Sequence, residues 1–205
     1  MSKFFSTSIT IILVAGILFA LNPPTAAKAE IGLDLGGGLT VPIGDLNDSH
    51  NMGFGARGAF YVPFSPVAAF GLGVGYSFFQ ADENLAPQGE QYSGGDFSTL
   101  SVCPELRFMV GAAGMPNFSA SIGAGLYRLM QSDLDIEDLV VPANSGTVEF
   151  NSVNKFGMNI AGRVLFPVGP TVKIGLEAKD HLIFTDEDSL NFFEFMVVLN
   201  ISVGP

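Results

Sequence analysis

The chain has 205 residues, of which 48% are hydrophobic and 14% charged, and its formal net charge at pH 7 is −11. This length is enough for one domain. A soluble domain carries roughly 25% charged residues, so this chain has unusually few groups that solvate a surface. The negative charge excludes nucleic-acid binding, and the single cysteine, Cys103, excludes an internal disulfide.

The first 29 residues predict a secretory signal peptide. Lys3 precedes an apolar run over residues 9–21, and Ala27-Lys28-Ala29 has the small-x-small form of a cleavage site. The run is shorter than the roughly 17 residues of a spanning helix, which argues against an uncleaved anchor. We therefore predict a signal peptide over 1–29 and one domain over 30–205, with maturation at Glu30. No later apolar run is long enough for a membrane-spanning helix, which excludes a helical membrane protein.

Beyond Glu30, eight segments alternate between apolar and small or polar residues with a period of two, which predicts β-strands. They cover residues 31–41, 53–64, 68–79, 97–110, 117–130, 153–166, 171–184 and 191–203. Strands of about ten residues or more are long enough to cross a bilayer at a tilt.

The third segment, AAFGLGVGYSFF, has three glycines that raise the possibility of a phosphate-binding loop. Gly71, Gly73 and Gly75 follow a strict spacing of two, however, whereas a dinucleotide-binding loop has uneven G-x-G-x-x-G spacing between a strand and a helix. The alternate positions are apolar, namely Phe70, Leu72, Val74, Tyr76 and Phe78. The stretch is therefore predicted to be a strand with one apolar face and one face of tiny residues.

The connections between the segments alternate in length. Those at 65–66, 112–116 and 168–170 are tight, whereas 42–52, 80–96, 131–152 and 185–190 are longer and polar. This layout is typical of an outer-membrane barrel with its long loops outside the cell and both termini in the periplasm.

Period-two alternation also fits a soluble lipocalin-like barrel, in which the apolar face points inward. The second face here consists mostly of Gly, Ser and Ala with one or two ions per strand, which would solvate a protein poorly but would leave room in a narrow lumen. We predict that the charges on this face line the lumen: Asp34, Arg57, Glu105, Arg107, Lys155, Arg163, Lys173, Glu177, Lys179 and Glu194.

Lipid-facing charge costs roughly 2–4 kcal/mol at the bilayer midplane, which favours placing these ions inside. Opposed charges within a narrow bore would pair and plug it, so we predict a closed lumen. Arg128 lies on the apolar parity beside the third long loop. We expect it at the outer rim, where a guanidinium can contact lipid phosphates.

The chain resembles the small outer-membrane β-barrel superfamily, of the OmpA and OmpX type, over residues 30–203. The stretches GLDLGGGLTVPIGD and FGLGVGYSFF look like its first hairpins. The resemblance implies an all-β, eight-stranded antiparallel up-and-down transmembrane barrel in a Gram-negative-type outer membrane. It also implies contact with outer-membrane lipids and lipopolysaccharide, and delivery by periplasmic chaperones and the barrel assembly machinery. We expect a monomer without a cofactor.

One feature departs from the family. Its members usually end in an aromatic residue that the assembly machinery reads, whereas this sequence ends Ile201-Ser202-Val203-Gly204-Pro205. Recognition would then use the stretch around Phe193 and Phe195, or a divergent signal.

An enzymatic barrel is the less favoured alternative. Resemblance to the lipid A deacylases would require a His two residues before a Ser on a strand, but His181 is followed at that position by Ile183, and His50 precedes Asn51 and Met52. We expect both histidines at the rim or in loops. The function we predict is a non-enzymatic, structural or surface-interaction role, with a small pore and a lipid A hydrolase as alternatives.

The four long connections carry fourteen acidic residues and no Lys or Arg. They include Asp82, Glu83, Asp133, Asp135, Glu137, Asp138, Asp186, Glu187 and Asp188. We interpret them as a solvated, repelling surface. The alternative is weak Ca²⁺ or Mg²⁺ binding at Asp133, Asp135, Glu137 and Asp138, bridging to lipopolysaccharide phosphate. SDLDIED lacks the glycine and distal glutamate of an EF-hand, so no dedicated metal site is expected.

Overall fold

The structure is a computed structural model that describes residues 31–82, 90–111, 115–138, 145–186 and 188–203. The predicted signal peptide, Glu83, Glu187, most of the 112–116 turn and the last two residues lie outside these ranges. Eleven strands and one short 3-10 helix, Gly44–Leu46, are present in the described part. The strands are β1 (Ile31–Ile43), β2 (Gly53–Ser65), β3 (Ala68–Phe79), β4 (Glu90–Gly94), β5 (Phe97–Val110), β6 (Asn117–Gln131), β7 (Leu134–Asp138), β8 (Gly146–Val148), β9 (Val153–Pro167), β10 (Val172–Phe184) and β11 (Ser189–Val203).

Eight of the strands form a closed antiparallel barrel in the order β1-β11-β10-β9-β6-β5-β3-β2. Closure comes from the pairing of the first strand with the last, from Ile31 opposite Val203 to Ile43 opposite Asn191. The predicted eight-stranded barrel is confirmed, and each barrel strand begins and ends close to its predicted bounds. Closure removes the unpaired edges that an open sheet would leave.

The two faces of each barrel strand differ as the alternation predicts. On β3, Phe70 and Val74 are 43% and 44% exposed, whereas Ser77, which lies on the opposite face, is buried. On β10, Leu176 is 59% exposed and its neighbours Glu177 and Lys179 are buried. The apolar side chains therefore face outward and the ions face the barrel axis. Within the described residues, no helix has the length and apolar character needed to cross a membrane.

Two of the long connections contain strands that the sequence reading treated as polar loop. β7 pairs with β4 from the preceding loop and with β8 from its own loop, which makes a separate three-stranded sheet. Gly94 and Gly95 have φ of 85° and 76°, a conformation that glycine adopts without strain and that turns the chain from β4 into β5. These strands have three to five residues each, too short for a clear period-two signal.

The glycines of β3 make room for large side chains in the lumen. A Cβ atom on Gly71 would lie 2.3 Å from the Tyr61 ring and 2.5 Å from the Phe60 carbonyl oxygen. At Gly73 it would lie 3.0 Å from Glu105 Oε1. The glycines of β3 therefore leave the space that the lumen side chains Tyr61 and Glu105 occupy.

We expect Gly71→Val to lower the free energy of unfolding by about 1–3 kcal/mol, because the added methyl groups meet backbone as well as the Tyr61 ring. Urea unfolding in lipid vesicles measures this loss. Gly58→Val is the matched control, since its Cβ would meet only Leu35 Cδ2, at an ordinary 3.9 Å. Equal stability of the two variants would contradict the packing role of Gly71.

Candidate functional site in the barrel lumen

The lumen holds eight buried charged side chains, balanced four against four. In the described part of the chain these are the carboxylates Asp34, Glu105, Glu177 and Glu194 and the cations Arg57, Arg107, Arg163 and Lys179. Each comes from an inward position of a barrel strand, so strand alternation places all eight around one axis.

Glu105 is the centre of the middle cluster. Its carboxylate lies 2.5 Å from Arg57 Nη2 and 2.5 Å from Lys179 Nζ, and it also accepts a hydrogen bond from the Tyr61 hydroxyl. Arg57 forms a further ion pair with Glu177. The Glu105 and Glu177 side chains are each 1% exposed, so these pairs are fully withdrawn from solvent.

A second cluster surrounds Asp34 near the strand ends that are joined by the tight turns. Asp34 Oδ2 accepts hydrogen bonds from Arg107 at 2.8 Å and Arg163 at 2.6 Å, and Asn200 donates to Oδ1 at 2.6 Å. The Arg107 guanidinium carbon lies 3.4 Å from the centroid of the Tyr61 ring. Tyr61 thus contacts both clusters, which makes one connected network along the axis.

His181 belongs to a third cluster, so its predicted place at the rim or in a loop is wrong. It is 4% exposed, its Nδ1 lies 2.9 Å from the Tyr127 hydroxyl, and its Nε2 lies 3.0 Å from Glu194 Oε2. Ser77 donates to the other oxygen of Glu194 at 2.6 Å. The position could have been found from parity, because His181 follows Lys179 by two residues on one strand.

An apolar cluster fills the lumen beyond these charges, towards the long loops. It consists of Leu46, Phe79, Phe97, Cys103, Tyr127, Leu129, Ile183 and Phe192. Phe79 and Phe192 are 0% exposed, and their ring centroids are 5.2 Å apart in an edge-to-face arrangement. The outer part of the lumen is therefore packed with apolar side chains, a feature that the sequence reading did not anticipate. Cys103 is a free, buried thiol within this packing.

The remaining predicted lumen cations lie nearer the ends of the barrel. Lys155 is half-buried and pairs at 2.6 Å with Asp186, whose side chain is 89% exposed. Lys173 is half-buried beside the turn that joins β9 to β10. Both therefore stand apart from the axial network.

Arg128 faces outward at the outer end of β6 and is exposed. Its Nη2 donates a hydrogen bond to Ser152 Oγ at 3.0 Å. The other two guanidinium nitrogens make no hydrogen bond with the described residues and lie at the outer surface of the barrel.

Asp180 is a second charged side chain on the outward parity of the barrel strands, and we did not predict it from the sequence. It lies between Lys179 and His181, which both point into the lumen, and it is paired in register with Ile160 and Phe193, which are 59% and 37% exposed. Its parity alone could have identified it. Asp180 is half-buried on the outer wall.

The acidic residues of the candidate cation site lie in β7 and just before it. Asp135 and Glu137 are exposed on one face of β7, beside a groove of about 500 Å³, and Asp135 accepts a hydrogen bond from Thr147 at 2.6 Å. Asp133 accepts one from the Phe150 amide. The side chain of Asp138 lies outside the described part. Among the described residues, no three His, Cys, Asp or Glu side chains are grouped to hold a metal ion.

His50 lies in the first long loop, as the sequence predicts, and fastens that loop to the second. Its Nδ1 lies 2.8 Å from Ser49 Oγ, and its Nε2 lies 3.2 Å from the Gly95 carbonyl oxygen. Burial lowers the pKa of His50, and the hydrogen bond to Gly95 partly offsets this shift.

Outer-membrane proteins of known structure share this fold. Neisserial surface protein A is 12% identical over 83% of this chain and 96% of its own, with a TM-score of 0.56. A major outer membrane protein of Thermus thermophilus is 12% identical over 86% of this chain and 100% of its own, also with a TM-score of 0.56. The outer membrane enzyme PagL is 12% identical over 83% and 98% of the two chains, with a TM-score of 0.45, too low for any inference about this chain.

No protein-family model matches the sequence, and a comparison with curated proteins finds no match. Identities of 12% establish the fold alone. This chain has the fold of the small outer-membrane β-barrels of the OmpA and OmpX type, as the resemblance implied. The outer wall of the barrel is apolar, as the wall of a membrane-spanning barrel is.

Proposed function

We propose that this chain is a non-enzymatic, structural barrel of the outer membrane whose lumen is closed and whose acidic loops face the exterior. The observation that carries the proposal is the axial network: three buried carboxylates pair with four buried cations, Glu194 contacts His181, and apolar side chains fill the lumen above them. Removing one partner of a buried ion pair costs about 3–5 kcal/mol, because the other charge is left unpaired, so these groups are expected to stay paired in the bore.

A conducting pore is the competing function. We expect no steady nanosiemens-scale openings when the refolded protein is inserted into planar bilayers, because paired side chains occupy the bore. A variant in which Glu105, Arg57 and Phe192 are all replaced by alanine removes part of the ion-pair network and part of the apolar cluster, and unboiled gels show whether it folds. Steady nanosiemens-scale openings of the unaltered protein would contradict the closed lumen.

Hydrolysis of lipid A has less support. A nucleophile and its base must lie within hydrogen-bonding reach, but the two partners of His181 are Tyr127 and Glu194, and all three are buried in the lumen, away from lipid. We expect no release of fatty acid when purified lipid A is incubated with the refolded barrel.

The loops and rim supply the proposed contacts with the envelope. Arg128 would meet lipopolysaccharide phosphates, and the acidic loops would repel anions or gather divalent cations weakly. We further propose export through cleavage after residue 29, delivery by periplasmic chaperones and the assembly machinery, and a monomeric barrel. Co-fractionation with outer membranes and a gel shift of unboiled samples test the location, and the mass of the extracted protein tests the cleavage.

A further inference from the structure

The short turns at the inner end of the barrel are apolar, and the proposed function gives them no role. They join β2 to β3, β5 to β6 and β9 to β10, within residues 64–67, 110–117 and 166–172. None of these residues is Asp, Glu, Lys, Arg or His. Four large hydrophobic side chains there are between 58% and 73% exposed, namely Val67, Val110, Met115 and Val168. Turns in water favour Gly, Pro, Asn, Asp and Ser, so the valines and the methionine call for an apolar partner.

The apolar wall has a polar border at its outer end and none at its inner end. On β5, β9 and β11, the outward residues nearest the long loops include Ser98, Asn154 and Asn191. Beside the turns, the same three strands end their outward faces with Val110, Phe166 and Val203. All three of these inner residues are exposed. The wall therefore continues into the turns without a polar boundary.

The backbone of the turn between β9 and β10 satisfies its own hydrogen-bond donors. The amides of Val168 and Gly169 both donate to the Val172 carbonyl oxygen, at 3.0 Å and 3.2 Å. Pro167 and Pro170 have no N–H group to satisfy. A turn in water could leave these donors to solvent, whereas within lipid every unpaired backbone donor is costly.

The turn between β2 and β3 follows the same rule. The Val67 amide donates to Ser65 Oγ at 3.3 Å, and the Val67 carbonyl oxygen accepts from the Met109 amide at 2.8 Å. Pro66, at the tip, again has no N–H group. Both turns therefore combine apolar side chains with a backbone whose polar groups are paired inside the protein.

The depth of the turns follows from the length of the apolar wall. A residue advances a tilted strand by about 2.5 Å along the membrane normal, so the apolar band of about 25 Å takes about ten residues. On β9, the outward residues from Phe156 to Phe166 carry no polar side chain and span that distance. The turn after Phe166 then lies where the acyl chains meet the head groups.

We infer that the short turns are embedded in the periplasmic leaflet of the membrane, where Val67, Met115 and Val168 contact the acyl chains of phospholipids next to the head groups. The inference rests on the proposed membrane barrel. An apolar surface on a periplasmic protein fits less well, because the turns continue the lipid-facing wall without a border. The turns thereby fix how deeply the barrel sits in the bilayer.

The test uses single tryptophans as depth markers, since the chain contains none. Val67→Trp and Val168→Trp are each refolded into vesicles of phosphatidylcholine that carries bromine, a quencher of tryptophan emission, either near the head group or near the end of the acyl chain. Both variants should lose more emission with bromine near the head group. Val74→Trp, near the middle of β3, should show the reverse order.

Val148→Trp is the control for a tryptophan in water, because Val148 lies in the external sheet. Its emission should not respond to bromine in either position. If Val67→Trp and Val168→Trp behave like Val148→Trp while Val74→Trp is quenched, the turns lie in water and the inference is overturned, which leaves their apolar side chains to a periplasmic protein. If Val74→Trp is not quenched in a barrel that unboiled gels show to be folded, the membrane barrel itself is overturned.

Discussion

Replacing Glu105 by alanine should lower the free energy of unfolding by about 3–5 kcal/mol, because the change leaves two buried cations without their shared anion. Arg57 and Lys179 both lie 2.5 Å from this carboxylate, and their side chains are 6% and 3% exposed. Tyr61 loses its acceptor as well. Urea titration of the barrel refolded in phospholipid vesicles measures the loss, with the folded fraction read from unboiled gels because the chain contains no tryptophan.

Lys155→Ala is the matched control for this experiment. It also breaks an ion pair, but its partner Asp186 is 89% exposed, and a pair open to solvent contributes only about 0–1 kcal/mol. The double variant Glu105→Ala with Lys179→Met should be more stable than Glu105→Ala alone, since it removes one of the stranded cations. If Glu105→Ala and Lys155→Ala lower the free energy of unfolding equally, the ion pairs of Glu105 are open to solvent rather than buried.

Lumen charge could be assigned from the sequence because strand parity is a strict geometric rule. Every second residue shares a face, so the alternation puts Arg57, Arg107 and Glu105 on one face, and the small residues of that face identify it as the inner one. The partners could not be assigned. Asp34 meets Arg107 and Arg163 from strands far away in the chain, and such pairs depend on how strands are staggered around the barrel.

The apolar outer part of the lumen was missed for a related reason. Phe79 ends its strand, Leu46 lies in the short helix after β1, and Phe192 stands near the start of β11. Phe79 and Phe192 lie on the inward parity of their strands, but parity shows neither that their rings meet nor that Leu46 folds over them. The external sheet was missed likewise, since β4 and β7 come from separate loops and neither is long enough to show alternation.

His181 and Asp180 show where strand parity and expectations about a residue type disagree. Both lie on a strand that was predicted correctly, and parity alone places the histidine inside and the aspartate outside. The histidine was expected at the rim or in a loop because it lacks the His-x-Ser spacing of the lipid A deacylases, and the aspartate received no role. Strand period is therefore the stronger guide wherever it conflicts with expectations about a residue type.

Replacing Val74 by arginine should cost about 2–4 kcal/mol of folding free energy, because it places a charge on the lipid-facing wall near the middle of β3. Val74 is 44% exposed, and its register partners Gly58 and Val102 give a guanidinium no acceptor side chain. Urea unfolding in vesicles measures the cost, and the yield of gel-shifted protein in outer membranes measures assembly.

Val148→Arg makes the same substitution at a valine of nearly the same exposure, 42%, in the external sheet. Exposed to water, that arginine should change stability by no more than about 0.5 kcal/mol. A water-soluble barrel would tolerate both variants equally, since each valine would then contact only solvent. The difference in folding free energy lost by the two variants therefore reports whether hydrocarbon surrounds the barrel. Equal losses would show that the apolar wall does not face lipid.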